Sequence, residues 1–233
     1  MNRLMALVKR EFWENKGAFR TTPLVIGGIH LVLVLMGLIT FGNFDHEFQS
    51  LKELTRWVSS IESGLRGEFI YMTSLGLFPF LFSMVLFFVV FFYLLGSLYD
   101  DRKDRSILFW KSLPASDTLT LASKLISAMV VAPVIFWVIY VLTYVVIMLI
   151  LSVVVLSLGE NPWTLFLGIG SYFKAWSMLL LSYLAIAVWS LPLYAWLMLV
   201  SSFAPRIPLL FAILPPVVVA VLQIWIEFLQ TFT

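Results

Sequence analysis

The sequence predicts an all-α membrane protein, a polytopic helical bundle with five spans, on three observations. The 233-residue chain is 61% hydrophobic and only 12% charged, where a soluble domain is about 45–50% apolar and about 25% charged. Its mean hydropathy is +1.00. Its apolar residues form long continuous runs, unlike the alternating segments of about ten residues that mark membrane β-barrels.

A helix needs about 20 apolar residues to cross the hydrocarbon core. Five runs qualify: Pro23–Phe41, Ile70–Leu98, Leu125–Leu158, Ala175–Phe203 and Ile207–Phe228. The third is long enough for two short spans. No turn residue interrupts Val134–Ser157, so one tilted helix projecting beyond the bilayer is expected. Pro192 should kink the fourth span, and Pro215-Pro216 the fifth more severely, because proline removes a ladder bond and clashes with the preceding turn. Broken helices in membranes are tolerated where they are buried or line a cavity, which makes these three prolines candidates for a substrate path.

Lys and Arg set orientation. The N-terminal segment holds Arg3, Lys9, Arg10, Lys16 and Arg20, the second connection holds Arg102, Lys103, Arg105, Lys111 and Lys124, and the fourth holds Arg206. The other two connections hold only Lys52, Arg56, Arg66 and Lys174. The N-terminus is therefore expected in the cytoplasm and the C-terminus outside, in a multi-pass protein of the plasma membrane. Residues 1–22 carry charge throughout and do not read as a cleavable signal peptide. Leu4, Val8, Phe12 and Phe19 lie near one helical face there, as in a helix lying in the headgroup layer. Outside, Phe48, Leu51, Leu54, Val58, Ile61 and Leu65 recur at spacings of three and four, which predicts an amphipathic helix over 43–69. The whole of 1–233 reads as a single transmembrane domain.

Tyr99–Lys124 is a polar island between the second and third spans. Nine charged residues, five of them basic, surround an apolar patch of Ile107, Leu108, Phe109 and Trp110. Charged flanks around an aromatic knob suit docking of a soluble partner.

Several chemistries have no residues to support them. The chain has no cysteine, which removes disulfides, thiolate metal sites and a cysteine nucleophile. It has no G-x-x-x-x-G-K-[ST] phosphate loop and no H-E-x-x-H. Its only histidines, His30 and His46, have no evident ligand partners, so no metal site is expected, and no nucleic-acid partner is expected either. His30 within the first span and Glu227 near the outer end of the fifth join the candidate substrate path, since intramembrane ionisable groups are costly unless used.

The string LYDDRKDRSILFWKSLPASD, and the long span that follows Ser123-Lys124, resemble permease subunits of the type-2 ABC exporter family. So does the opening LVKREFWENKGAFRTTP. LPLYAWLMLVSSFAPRIPLLFAILPP is similar to the family's fourth-to-fifth span connection. The likeness covers nearly the whole chain and is most specific from Asp104-Arg105-Ser106 to Trp110-Lys111-Ser112-Leu113-Pro114. It implies a pair of permease subunits, homo- or heterodimeric, above two separate ATP-binding subunits that carry the ATP and Mg. The chain itself would be no enzyme and hold no cofactor. It further implies a bacterial inner membrane setting, an elbow helix at the N-terminus and a cytoplasmic coupling helix over 99–118.

Asp104, Arg105, Ile107, Leu108, Phe109, Trp110, Lys111 and Leu113 would then form the ATPase interface. Asp104 and Arg105 would orient it through charge-assisted bonds, and Phe109 and Trp110 would be its buried anchors. Pro114 would end the coupling helix, and Ser116 or Asp117 would cap the next one. The family has six spans, so five suggest a chain that stops before a sixth. The cargo implied is an amphipathic or hydrophobic molecule for export. A non-transporting membrane scaffold or immunity-type protein is the alternative. An intramembrane enzyme is disfavoured by the lack of paired catalytic residues in the spans.

Overall fold

The computed structural model describes residues 3–42, 53, 56, 60, 76–104, 116–157, 159, 161–163 and 169–230. Helix dominates, and no strand occurs among the described residues. The helices are α1 (Arg3–Glu14), α2 (Thr22–Gly42), α3 (Leu77–Gly96), α4 (Tyr99–Lys103), α5 (Asp117–Ile126), α6 (Ala132–Ser157), α7 (Ile169–Trp189), α8 (Leu191–Phe203) and α9 (Pro208–Gln230). Five helical stretches among the described residues are long and apolar enough to cross a membrane. The chain is an all-α polytopic membrane protein.

Two π turns interrupt the helices, Gly17–Thr21 before α2 and Ser127–Val131 between α5 and α6. Each ends two residues before a proline, Pro23 or Pro133. Proline cannot donate to the carbonyl four residues back and its ring collides with it. A locally widened turn accommodates both defects. α5, the second π turn and α6 form one helical stretch of 41 residues, Asp117–Ser157. The third run is thus a single span, as expected, but its helix starts eight residues before Leu125 and includes Ser123 and Lys124.

The fourth run differs from its expected form as one kinked span over Ala175–Phe203. It is two helices, α7 and α8, separated at Ser190 (φ −81°, ψ 2°), and Pro192 lies in the first turn of α8. Helix interiors reject proline but first turns accept it, because the N–H there has no partner to lose. Pro215 and Pro216 do lie inside a helix, and α9 is continuous through them. Together they deprive the carbonyls of Phe211 and Ala212 of their helical donors. The Trp196 indole N–H fills one vacancy, donating to the Ala212 carbonyl at 3.1 Å.

Contacts divide the chain into two compact units, one made of residues 1–14, 88–129 and 186–233, the other of 15–87 and 130–185. In the second, α2 packs on α6. The buried face of α2 is Pro23, Gly27 and His30, and that of α6 includes Phe136, Tyr140, Thr143 and Ile147. A Cβ at Gly27 would stand 2.5 Å from Thr143 Oγ1, a hydroxyl held in place by its 2.8 Å bond to the Ile139 carbonyl. Gly27→Ala is therefore expected to destabilise the protein by about 1–3 kcal/mol, the usual cost of overpacking. Thr143→Ala in the same chain should restore most of the loss. Thermal unfolding in detergent measures both; an unchanged midpoint for Gly27→Ala would show that the helices do not meet through this pair.

In the first unit, α1 packs on α5, and α8 packs on both α4 and α9. The expected amphipathic helix over 43–69 lies outside the described residues, apart from Glu53, Arg56 and Ser60, which are helical.

Candidate functional site

The first unit gathers buried charge around the two ends of the polar connection between spans. Glu11 on α1 and Lys124 on α5 are almost fully buried, their side chains 1% and 2% exposed. Lys124 Nζ lies 3.1 Å from Glu11 Oε1 and 3.3 Å from Oε2. The same ammonium reaches Asp101 Oδ2 on α4 at 3.1 Å. Arg10 Nη2 donates to Glu11 Oε1 at 2.8 Å, and the Tyr93 hydroxyl of α3 donates to Oε2 at 3.0 Å. Isolated charges are expelled from low-dielectric surroundings at a cost of several kcal/mol each, so such groups persist only when paired and hydrogen-bonded. Here the Glu11 carboxylate accepts from three side chains, and one lysine serves two carboxylates. Glu14, one turn beyond Glu11, contacts Arg10 Nε at 3.3 Å. Partial burial raises its carboxyl above the usual value, Arg10 opposes that, and the nearby Glu11 adds to it.

A second knot fixes the start of the connection to the end of α8. The N-cap of α4 is Leu98, whose side chain offers no acceptor. Ser201 of α8 supplies one: its Oγ accepts from the N–H groups of Leu98 (3.0 Å) and Tyr99 (2.9 Å). In return, Arg102 Nη2 donates to the carbonyls of Ser201 and Ala204, both at 2.9 Å. These are among the last carbonyls of α8, which lack helical donors and favour a cation. The Tyr99 hydroxyl donates to the Arg206 carbonyl at 2.9 Å. α4 is thus locked to the corner between α8 and α9, while Asp101 on its other side joins the Glu11–Lys124 pair.

The far end of the connection is also fixed locally. Ser116 is extended (φ −73°, ψ 150°) and its side chain accepts from the Leu119 N–H, so Ser116 is the N-cap of α5 and Asp117 its first residue. Of the expected coupling helix over 99–118, residues 105–115 lie outside the described residues, and α4 occupies its start. α4 ends at Lys103 with Asp104 as its C-cap, whose N–H bonds to the Asp100 carbonyl at 2.9 Å, and α5 begins at Asp117.

Of the residues expected at an ATPase interface, Asp104 is an exposed turn residue. Arg105, Ile107, Leu108, Phe109, Trp110, Lys111 and Leu113 lie outside the described residues, as does Pro114. The expected substrate-path residues stand on three helices, α2, α8 and α9. His30 is buried in α2, with Nδ1 2.8 Å from the Ile26 carbonyl and its ring beside Phe78 and Phe82, at 4.9 and 5.5 Å between centroids. Pro192 begins α8, Pro215 and Pro216 lie within α9, and Glu227 is exposed near that helix's end. None of them lines the apolar groove of about 410 Å³ in the first unit or the aromatic cavity of about 250 Å³ in the second, which Tyr144, Tyr172, Phe173 and Trp176 wall.

Sequence reasoning missed Glu11, Tyr93 and Ser201, and took Lys124 only as the edge of the island. No family model, curated protein or solved structure matches the chain.

Proposed function

We propose that this chain is the membrane-spanning permease subunit of an ATP-driven exporter, coupled to a separate ATP-binding subunit through the connection between the second and third spans. One observation carries the reading. Both ends of that connection are bonded to each other and to other helices: Lys124 to Asp101 and to Glu11 of α1, and Arg102 to the end of α8. A solvated loop that merely joins two spans needs no such anchorage. A lever that receives force from a soluble motor does, because force applied at 105–115 passes into α1 and the α8–α9 corner only through rigid links.

In this reading the N-terminus and the connection face the cytoplasm of a bacterial cell, two permease subunits pair, and the ATP and Mg belong to the partner. The cargo is hydrophobic or amphipathic, in keeping with the apolar cavities of both units. The test uses the tagged full chain with the ATP-binding subunit encoded nearest to it. Interface aromatics that act as hot spots contribute about 2 kcal/mol or more each. Phe109→Ala with Trp110→Ala should thus lower retention of the ATP-binding subunit at least about tenfold. Undiminished retention, or no ATP-binding subunit recovered with the native chain, would count against the proposal.

A further inference from the structure

In the first unit, α5 and α8 leave an elongated groove between them. Leu121, Ala122 and Leu125 form one wall, Leu191, Ala195, Met198 and Leu199 the other, and Leu98 also lines it. We propose that this groove binds one acyl chain of an anionic phospholipid, from the leaflet that borders the polar connection. The assignment is independent of any transport role.

Length, width and chemistry agree on that occupant. From Leu191 to Ser202 the groove follows α8 for eleven residues, about 16 Å at the helical rise of 1.5 Å. One leaflet's share of a hydrocarbon core about 30 Å thick is about 15 Å. Spread over that length, a volume of about 410 Å³ gives a mean cross-section of about 25 Å², roughly a third of that of a helix about 10 Å across. An extended hydrocarbon chain suits that width. Ser202 is the one polar lining residue, and its hydroxyl already donates to the Leu199 carbonyl at 2.7 Å. An extended peptide would leave its backbone groups unpaired here, whereas an acyl chain has none to pair.

Polarity also runs in the right direction. The groove begins beside the helix break at Ser190 and ends at Ser202, four residues before Arg206. Arg206 is exposed and has no carboxylate partner among the described residues. A cation in that place suits a lipid phosphate.

The test reconstitutes the full chain in bilayers containing phosphatidylglycerol with a photoactivatable group on one acyl chain, and maps the crosslinks by peptide. Crosslinks are expected at Leu121, Leu125 and Met198. Ala195→Phe fills the groove and should lower them at least about fivefold. Labelling of the exposed α9 residues Val219 and Trp225, which reports insertion and folding, should not change. Arg206→Gln should reduce the preference for phosphatidylglycerol over an equally labelled phosphatidylcholine. Groove labelling no stronger than that of α9 means bulk lipid only and overturns the proposal. So does labelling that ignores Ala195→Phe, or a groove left unlabelled because a second copy or another protein covers it. Equal labelling of the native chain by the two lipids overturns its anionic part.

Discussion

Glu11→Ala is expected to cost the fold about 3–5 kcal/mol, the range for breaking a buried ion pair from one side. The carboxylate accepts from Arg10, Tyr93 and Lys124 at 2.8 to 3.3 Å, and its removal takes a partner from all three, though Arg10 keeps Glu14. Lys124 would keep Asp101, so the residual charge is partly compensated. The Tyr93 hydroxyl would lose its bond to the carboxylate. Lys124→Ala should be severe for the opposite reason: Glu11 keeps Arg10, but two carboxylates lose the cation they share. Replacing both members, Glu11→Leu with Lys124→Leu, should recover much of the loss, because well-packed apolar side chains often equal a buried pair in stability.

The cycle of Glu11→Leu, Lys124→Leu and the double variant is read by thermal unfolding of the purified protein. Strong coupling, above about 1 kcal/mol, is expected for groups in direct contact. Additive losses would show that Glu11 and Lys124 act on separate parts of the fold. In a chain of this kind the pair also sets topology. It joins α1 to α5 across 113 residues of sequence, so Glu11→Ala should loosen α1 before the spans unfold, and protease cleavage near the N-terminus should rise first.

The fold was legible because hydrocarbon thickness and hydropathy act on whole segments. Each of the five expected spans corresponds to a described helix or helices, and the unbroken run Val134–Ser157 lies within a single one. Local chemistry was legible at Ser116, where a side-chain acceptor precedes a helix. Less legible was the effect of proline. Pro192 stands in a first turn because Ser190 breaks the helix ahead of it. Pro216 is accommodated within α9 with the help of an indole twenty residues earlier, a tertiary compensation that no local pattern carries.

The buried charges left a faint signal. Glu11 falls three residues after Val8, on the face that Leu4 and Val8 share, where a carboxylate is out of place on an apolar stripe. Lys124 stands among Ala122, Ser123, Ser127 and Ala128, small residues that allow another helix to come close. Each mark alone is common on solvated helices. Only their proximity in the fold makes them partners, and proximity across 113 residues cannot be read from spacing.

Arg102→Met carries the second large effect. Its aliphatic stem is nearly matched, so the loss isolates the guanidinium. That group makes two bonds to the carbonyls of Ser201 and Ala204, and a hydrogen bond to a charged group contributes about 1.5–3 kcal/mol. A loss of about 2–4 kcal/mol is expected, concentrated at the α8–α9 corner. Arg102→Lys should restore only part of it, since a shorter ammonium must reach two carbonyls that one guanidinium nitrogen now bridges. The native chain has no cysteine, which provides a clean background for reading local opening. Ala204→Cys, at a position 1% exposed, should resist a water-soluble maleimide while Arg102 is present and react at least about tenfold faster with Arg102→Met, because the corner then opens more often. Leu222→Cys on the exposed part of α9 should react alike in both backgrounds. Equal protection of Ala204→Cys with and without Arg102 would mean that Ser201 and packing hold the corner alone, and that the connection between spans is not fastened there by charge.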